Sequence, residues 1–287
     1  MSTTLRMSPI AAERYSPRAL SDGERWTAIE LASLRAQRYR PSAWTAFLAH
    51  SLRRSAETRK ARPVLARQAR RWGLLGGVAW MVASLCEHRR RGPGQPIAAG
   101  LVWWFSAWQM LDWHLGMAEG GEGIPRPRLG RADAVTMTRI WLVPLLPALA
   151  VAPRRLAVMI ALGGISDGLD GVLARRDGRT RLGRDLDTFA DLFFIQSATH
   201  AARRAGRLGP LAAVAVATRH GVGVGLAGGA VLARARRPAI RARRSGALLR
   251  FGGLTLAAAG QERLGTVTLL VGCLTPPIRT APRLSPA

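Results

Sequence analysis

The chain has 287 residues, enough for one large domain or two smaller ones, and its 48% of apolar residues does not by itself mark a membrane protein. The formal charge of +26 is almost wholly arginine, Lys60 being the only lysine. Such charge suits nucleic acid or an anionic bilayer. The chain lacks zinc-ligand spacing, an RNA-binding signature and an aromatic-interleaved basic patch, and its arginines flank apolar runs, so no nucleic-acid partner is expected.

Residues 1–70 form an Arg-rich region at the cytoplasmic face or membrane surface. Residues 1–20 are expected to be disordered, and without an apolar h-region no cleaved signal peptide is expected. Ser21 and Asp22 can cap a helix running through ERWTAIELASLRAQRYR. A second helix, SAWTAFLAHSLRRSAETRKAR, carries Trp44, Phe47, Leu48 and Leu52 at helical spacing opposite a basic face. That pattern fits either a helix lying on an anionic bilayer or one packed against a neighbour. Residues 71–121 predict a transmembrane hairpin: WGLLGGVAWMVASL, then PIAAGLVWWFSAWQMLDWHLGM, with Trp103, Trp104, Trp108 and Trp113 as interfacial anchors. Cys86 and Cys273 read as small buried hydrophobes, not a disulfide or metal pair.

A Gly- and Pro-rich linker near residue 122 opens a second domain, 122–280, followed by a tail at 281–287. It holds six candidate spans, near 136–152, 155–175, 184–204, 208–232, 245–261 and 263–279. Pro144, Pro147, Gly221, Gly223 and Gly225 argue against some uninterrupted spans. The heavier arginine clusters precede the first span and lie between the second and third and between the fourth and fifth. The positive-inside rule puts those loops in the cytoplasm. An all-α, polytopic protein of the inner (cytoplasmic) membrane is therefore expected.

The acidic residues carry the chemistry. Asp167 and Asp170 are i, i+3 on the second helix of the six; Asp187 and Asp191 are i, i+4 on the third. A short polar connection makes the helices antiparallel neighbours, so four carboxylates can converge at their cytoplasmic ends. Each Asp at mid-membrane depth costs roughly 2.5–3.5 kcal/mol, and mutual repulsion adds to that. One or two divalent cations would supply the missing positive charge. An all-carboxylate site without His or Cys favours Mg²⁺, then Mn²⁺. Asp177 and Asp185 read instead as loop partners of arginines. Gly168 and Gly171 sit where Gly costs ~1 kcal/mol relative to Ala, which suggests close approach of a ligand to the backbone. Ala174 extends that small-residue surface, Gly183 opens the facing helix, and Arg175 can fork onto phosphate oxygens. A divalent-cation transporter is the alternative class; it predicts acids reaching the far side of several helices, whereas these cluster at one end of one pair.

The pattern Asp167-x2-Asp170-Gly171-x2-Ala174-Arg175-x7-Gly183-x3-Asp187-x3-Asp191 resembles the signature of the CDP-alcohol phosphatidyltransferase family. A weaker likeness, Asp133-x2-Thr136-x2-Arg139, precedes it, with Asp133 where the family usually has Asn. Leu192 stands where many members carry a basic residue. The resemblance implies a six-helix core that transfers a phosphatidyl group from a CDP-alcohol such as CDP-diacylglycerol to a second alcohol, releasing CMP. It implies Asp167, Asp170, Asp187 and Asp191 as ligands of two Mg²⁺ or Mn²⁺ ions and Asp191 as the base. Asp133, Thr136, Gly171, Ala174, Arg175 and Gly183 would bind the nucleotide. Glycerol 3-phosphate is the leading acceptor, with inositol phosphate or phosphatidylglycerol next, and family members are commonly homodimers. Arg139, Arg219 and Arg250, embedded in apolar helices, are the candidates for an acceptor phosphate, because an intramembrane arginine usually faces the bundle interior. His220 reads as a satisfied polar residue.

Overall fold

A computed structural model describes residues 21–91, 97–120, 123–234, 240–241, 244–275 and 278–279. The expected disordered segment 1–20 and the tail 281–287 lie outside the described residues. Among the described residues the elements are all helical apart from a two-residue antiparallel pairing of Ile240–Arg241 with Ile278–Arg279.

The N-terminal region holds α1 (Asp22–Ala36) and α2 (Pro41–Ala61), followed by α3 (Pro63–Arg91) and α4 (Ile97–His114). Ser21 caps α1 as its sequence predicts: its Oγ accepts from the Glu24 N–H at 3.2 Å, and Glu24 reaches back to the Ser21 N–H at 2.9 Å. On α2, Ala43 and Ser55 are buried while Trp44, Leu48 and Leu52 are exposed. The hairpin differs from its sequence reading in two ways: neither α3 nor α4 is among the described helices long and apolar enough to cross a bilayer, and its tryptophans pack between helices. Trp103 turns inward, stacking on Phe189 at 5.6 Å and donating from Nε1 to the Ile140 carbonyl at 3.0 Å. Trp104 and Trp108 lie over Gly76 and Gly73 of α3, where an added Cβ would come within 2.5 Å of the indoles. These rings fill the space between helices, because glycines on the facing helix leave room for them. Cys86 and Cys273 are both free thiols; Cys273 is buried as expected, but Cys86 is exposed on α3.

The six expected segments appear in order: α5 (Arg131–Leu142) continued by a 3-10 segment (Val143–Val151), α6 (Pro153–Asp177), α7 (Arg181–Arg204), α8 (Pro210–Arg234), α9 (Arg244–Ala258) and α10 (Glu262–Leu274). Pro144 and Pro147, which lack the N–H a regular helix needs, account for the tighter winding after Leu142. Three segments among the described residues are long and apolar enough to cross a bilayer: Arg131–Val151, Pro153–Asp177 and Pro210–Ala233. The last two helices are shorter than the expected spans. At 1.5 Å per residue, the 13 residues of α10 reach about 20 Å against a hydrocarbon core of about 30 Å. They pack backbone to backbone instead: a Cβ on Gly253 would lie 2.5 Å from the Leu269 nitrogen, and one on Gly265 2.4 Å from the Ala257 nitrogen.

Among the described residues, three apolar clusters hold the bundle. One joins Leu146, Leu156, Ile160, Phe194, Phe251 and Leu269 of the C-terminal helices. A second joins Leu65 and Leu111 of the hairpin to Met137, Ile140 and Leu186. The third packs Leu31, Leu34 and Ala43 against Val231 and Leu232 of α8, where the Tyr39 hydroxyl also donates to the Leu232 carbonyl at 2.5 Å. Within a bilayer such packing acts through van der Waals contact and close backbone approach more than through exclusion of water, and it fixes α5, α6 and α7 side by side.

Candidate active site

Helix α5 places Thr136 and Arg139 on one face, i and i+3, toward α6 and α7. The Thr136 hydroxyl donates to Asp170 Oδ2 at 2.8 Å. The Arg139 guanidinium meets all four signature carboxylates. Its Nη1 lies 3.1 Å from Asp167 and 3.3 Å from Asp191, and its Nη2 lies 3.1 Å from Asp170 and 2.5 Å from Asp187. Side-chain exposure rises from 0% at Arg139 through 7% at Asp170 and 26% at Asp191 to 43% at Asp187. The arginine is thus the floor of an acidic bowl whose rim opens outward. The approach surface is bare: a Cβ at Gly168 would meet nothing within 4 Å, and one at Gly171 only the Arg175 guanidinium, at 3.4 Å. Ala174 is half-buried beside them, and Arg175 is exposed without an ion pair to a described residue.

The loop between α6 and α7 is short because Gly178 turns it with φ +84°, a left-handed conformation that L side chains rarely adopt. Arg126 donates to the Asp177 carbonyl at 2.5 Å, and Arg131 pairs with the Asp177 carboxylate at 2.7 Å. Asp185 pairs with Arg184 at 3.1 Å. Thr180 then caps α7, accepting from the Gly183 N–H at 2.9 Å. Asp133 does not join the bowl. It is buried, accepts from the Gly130 N–H at 2.7 Å at the start of α5, and fills the space beside Gly183, where a Cβ would come 2.7 Å from its Oδ1. In this arrangement Gly183 accommodates Asp133 at the helix junction.

Two of the three expected acceptor arginines lie together on the other flank. Arg250 is buried, donates from Nη1 to the Gly272 carbonyl at 3.3 Å, and keeps a buried Nε without a hydrogen-bond partner. The charges of Arg219, Asp191 and Asp167 all act on it. His220 contacts Gln196, the Gln Nε2 lying 3.2 Å from its Nδ1. Arg139, by contrast, is enclosed by carboxylates and offers no open face to an acceptor phosphate. Its sequence signal was available: an arginine inside an apolar helix requires buried acids, and the acids nearest in the fold are the four of the signature. Two residues beyond the signature hold the loop. Arg181 receives the α1 cap, donating to Ser21 Oγ at 3.0 Å, and lies 3.8 Å from Glu119. Residues so far apart in sequence carry no local pattern that links them.

The donor set fits a hard divalent cation. Carboxylate oxygens of Asp167, Asp187 and Asp191 lie within 4.8 Å of one another, and Asp191 Oδ1 is buried without a hydrogen-bond donor. Four carboxylates against one guanidinium also leave net negative charge to be matched.

An all-helical integral membrane protein with an acidic site where three helices meet is the class that this fold and site define. Residues 129–276, just over half of the chain, match the CDP-alcohol phosphatidyltransferase family. The chain belongs to that family, and the matched region covers α5 to α10. No curated protein and no solved structure matches it.

Proposed function

We propose that this protein transfers a phosphatidyl group from CDP-diacylglycerol to the hydroxyl of a phosphate-bearing polyol, glycerol 3-phosphate first, releasing CMP in phospholipid synthesis. The observation that carries this reading is the convergence of Asp167, Asp170, Asp187 and Asp191 on one bowl beside a glycine surface. We place the site at the cytoplasmic face of the cell's inner membrane, supported by the arginine clusters that flank this end of the bundle.

Asp167, Asp170, Asp187 and Asp191 would hold one or two Mg²⁺ or Mn²⁺ ions, which when bound offset the pyrophosphate charge and stabilise the departing CMP. Gly168 and Gly171 let the diphosphate lie against the α6 backbone, and exposed Arg175 forks onto its oxygens. Ala174, Gly183, Thr136 and Asp133 would bound the nucleotide. Asp191 takes the proton from the acceptor hydroxyl as its oxygen bonds to the lipid-bearing phosphorus. The bond from that phosphorus to the bridging oxygen breaks, and its electron pair leaves with CMP. Position sets this base's effectiveness, since general-base help of this kind is worth roughly 10²–10⁴-fold. Arg219 and Arg250 support a phosphate-bearing acceptor, because Arg250 lies within electrostatic reach of both Asp191 and Arg219. Holding both reactants in place removes much of the entropic barrier.

The test is CMP release by purified protein in lipid nanodiscs, with CDP-diacylglycerol, Mg²⁺ or Mn²⁺ and a panel of acceptors. Turnover with glycerol 3-phosphate is expected. No CMP with any acceptor would overturn the reaction; faster turnover with inositol phosphate or phosphatidylglycerol would overturn only the acceptor.

A further inference from the structure

Outside the region matched to the family, a cavity of about 460 Å³ lies between α2, α3 and α4, within the range of small-ligand sites, ~300–1,000 Å³. Its wall combines Arg59, Arg70, Gln109 and Asp112 with apolar Leu52, Ala66 and Trp108. Arg59 and Asp112 form an ion pair across it, and Ser55 Oγ donates to Asp112 Oδ2 at 2.7 Å. Asp112 is 7% exposed and Arg59 39%, and only Arg59 Nη1 is engaged by described residues. Arg70, also in the wall, is exposed and pairs with no described residue. Leu52 and Trp108 are the larger apolar residues of the wall, and the Trp108 Nε1 is buried without a hydrogen-bond partner.

The pattern continues in one direction. Arg70, Leu74, Val78 and Val82 follow one another at i+4 on one face of α3, so beneath the arginine runs a strip of exposed aliphatics. On the antiparallel α4, Phe105 and Val102 continue the same way from Gln109, and the Phe105 ring lies 5.8 Å from that of Trp108. On α2, Trp44, Leu48 and Leu52 form an exposed i, i+4, i+8 stripe leading to the cavity. Arg70 and Arg71 are also the last charges before the apolar run that begins at Trp72. Cationic donors therefore sit at one end of exposed apolar strips, the order in which a phospholipid carries its phosphate and its chains.

We propose that this crevice is a binding site for one anionic phospholipid, its phosphate held by Arg59 and Arg70 and its chains lying along the strips of α3 and α4. The local charge favours that occupant over a second copy of the chain: residues 21–71 carry twelve Lys and Arg against four Asp and Glu. A free phosphate would leave the apolar strips uncovered. The guanidinium fork matches phosphate oxygens, and an amphipathic helix such as α2 gains from both anionic headgroups and buried apolar area. The site is separate from the acidic bowl, so its occupancy does not depend on the reaction proposed above.

Native mass spectrometry of the detergent-solubilised Asp191→Asn protein, without any CDP-activated donor so that no turnover occurs, tests this with phosphatidylglycerol and phosphatidylcholine as probes. One phosphatidylglycerol is expected to bind about tenfold more tightly than phosphatidylcholine. Arg59→Gln with Arg70→Gln is expected to abolish the difference, while Arg203→Gln with Arg204→Gln, at the far end of α7, leaves it intact. Arg70→Gln alone, at an exposed residue without a partner, is expected to weaken retention without altering the thermal midpoint. Equal binding of the two lipids, unchanged binding in the Arg59/Arg70 variant, or displacement by millimolar inorganic phosphate would each overturn the proposal.

Discussion

The acidic bowl and the N-terminal crevice are built from the same two residue types in opposite proportion. In the bowl one arginine, Arg139, is surrounded by four aspartates; in the crevice one aspartate, Asp112, lies against Arg59 with Arg70 close by. Each buried charge is the minority ion that lets the majority ions gather. The surplus then decides what each region attracts, cations in one and anions in the other. Burial separates them further: Arg139 is closed off entirely, whereas Arg59 keeps contact with water. A charge without that outlet is more costly to leave unpaired.

The largest expected effect comes from reducing the bowl's surplus at the reacting position. Asp191→Asn keeps the size and most of the contacts of the side chain but removes the proton acceptor. CMP release should fall about 10²–10⁴-fold, with Mn²⁺ binding measured by electron paramagnetic resonance weakened but present. Retained turnover would remove Asp191 from the role of base.

Removing the minority ion sharpens the comparison. Arg139→Met leaves four carboxylates facing one another, and breaking a buried charge network of this kind costs about 3–5 kcal/mol. The thermal midpoint in EDTA should drop sharply. Mn²⁺ should raise it by more in the variant than in the wild type, because the cation then replaces the lost guanidinium. A metal-free midpoint unchanged from wild type would show that Arg139 does not hold the acids together.

The counterpart in the crevice should be milder. Asp112→Asn frees Arg59, but that side chain is 39% exposed and can be solvated. About 1–2 kcal/mol is expected from the lost charged hydrogen bonds. Retention of phosphatidylglycerol should rise, since the crevice loses the one carboxylate that described residues contribute to its wall. If this variant destabilised the protein as much as Arg139→Met, burial would not be what separates the two regions.

Much of the bowl was legible in the sequence, because helical periodicity alone puts Asp167 with Asp170 and Asp187 with Asp191, and a short loop makes their helices neighbours. The chain also declares its α1 cap at Ser21 and its tightened segment at Pro144 and Pro147. The sequence does not show that Arg139 faces the four carboxylates, because its destination depends on how α5 is rotated against α6 and α7. That rotation is set by the packing of Met137, Ile140 and Leu186. Gly183 shows the same limit: its spacing belongs to the signature, but the carboxylate that fills the space beside it comes from Asp133, fifty residues earlier. Trp103, Trp104 and Trp108 of α4 mislead for a related reason. Their amphipathic rings suit an interface, and only the glycines of the facing helix reveal that they turn inward.

The smallest expected effect lies where the two regions meet. Ser21 Oγ both caps α1 and accepts from Arg181, the first residue of α7. Ser21→Ala removes both bonds at a partly buried site, and loss of such a cap costs about 1 kcal/mol. Because the first turn of α1 can open without the bundle, the loss should appear as local opening. Amide exchange should quicken about fivefold in α1 while the global thermal midpoint barely moves. Faster exchange confined to α1 would mean that the α6–α7 loop is held by Gly178, Arg126 and Arg131 alone. Faster exchange extending into residues 178–184 would mean that the N-terminal helix helps to hold the loop that joins the two acidic helices, and so links the basic region to the acidic one.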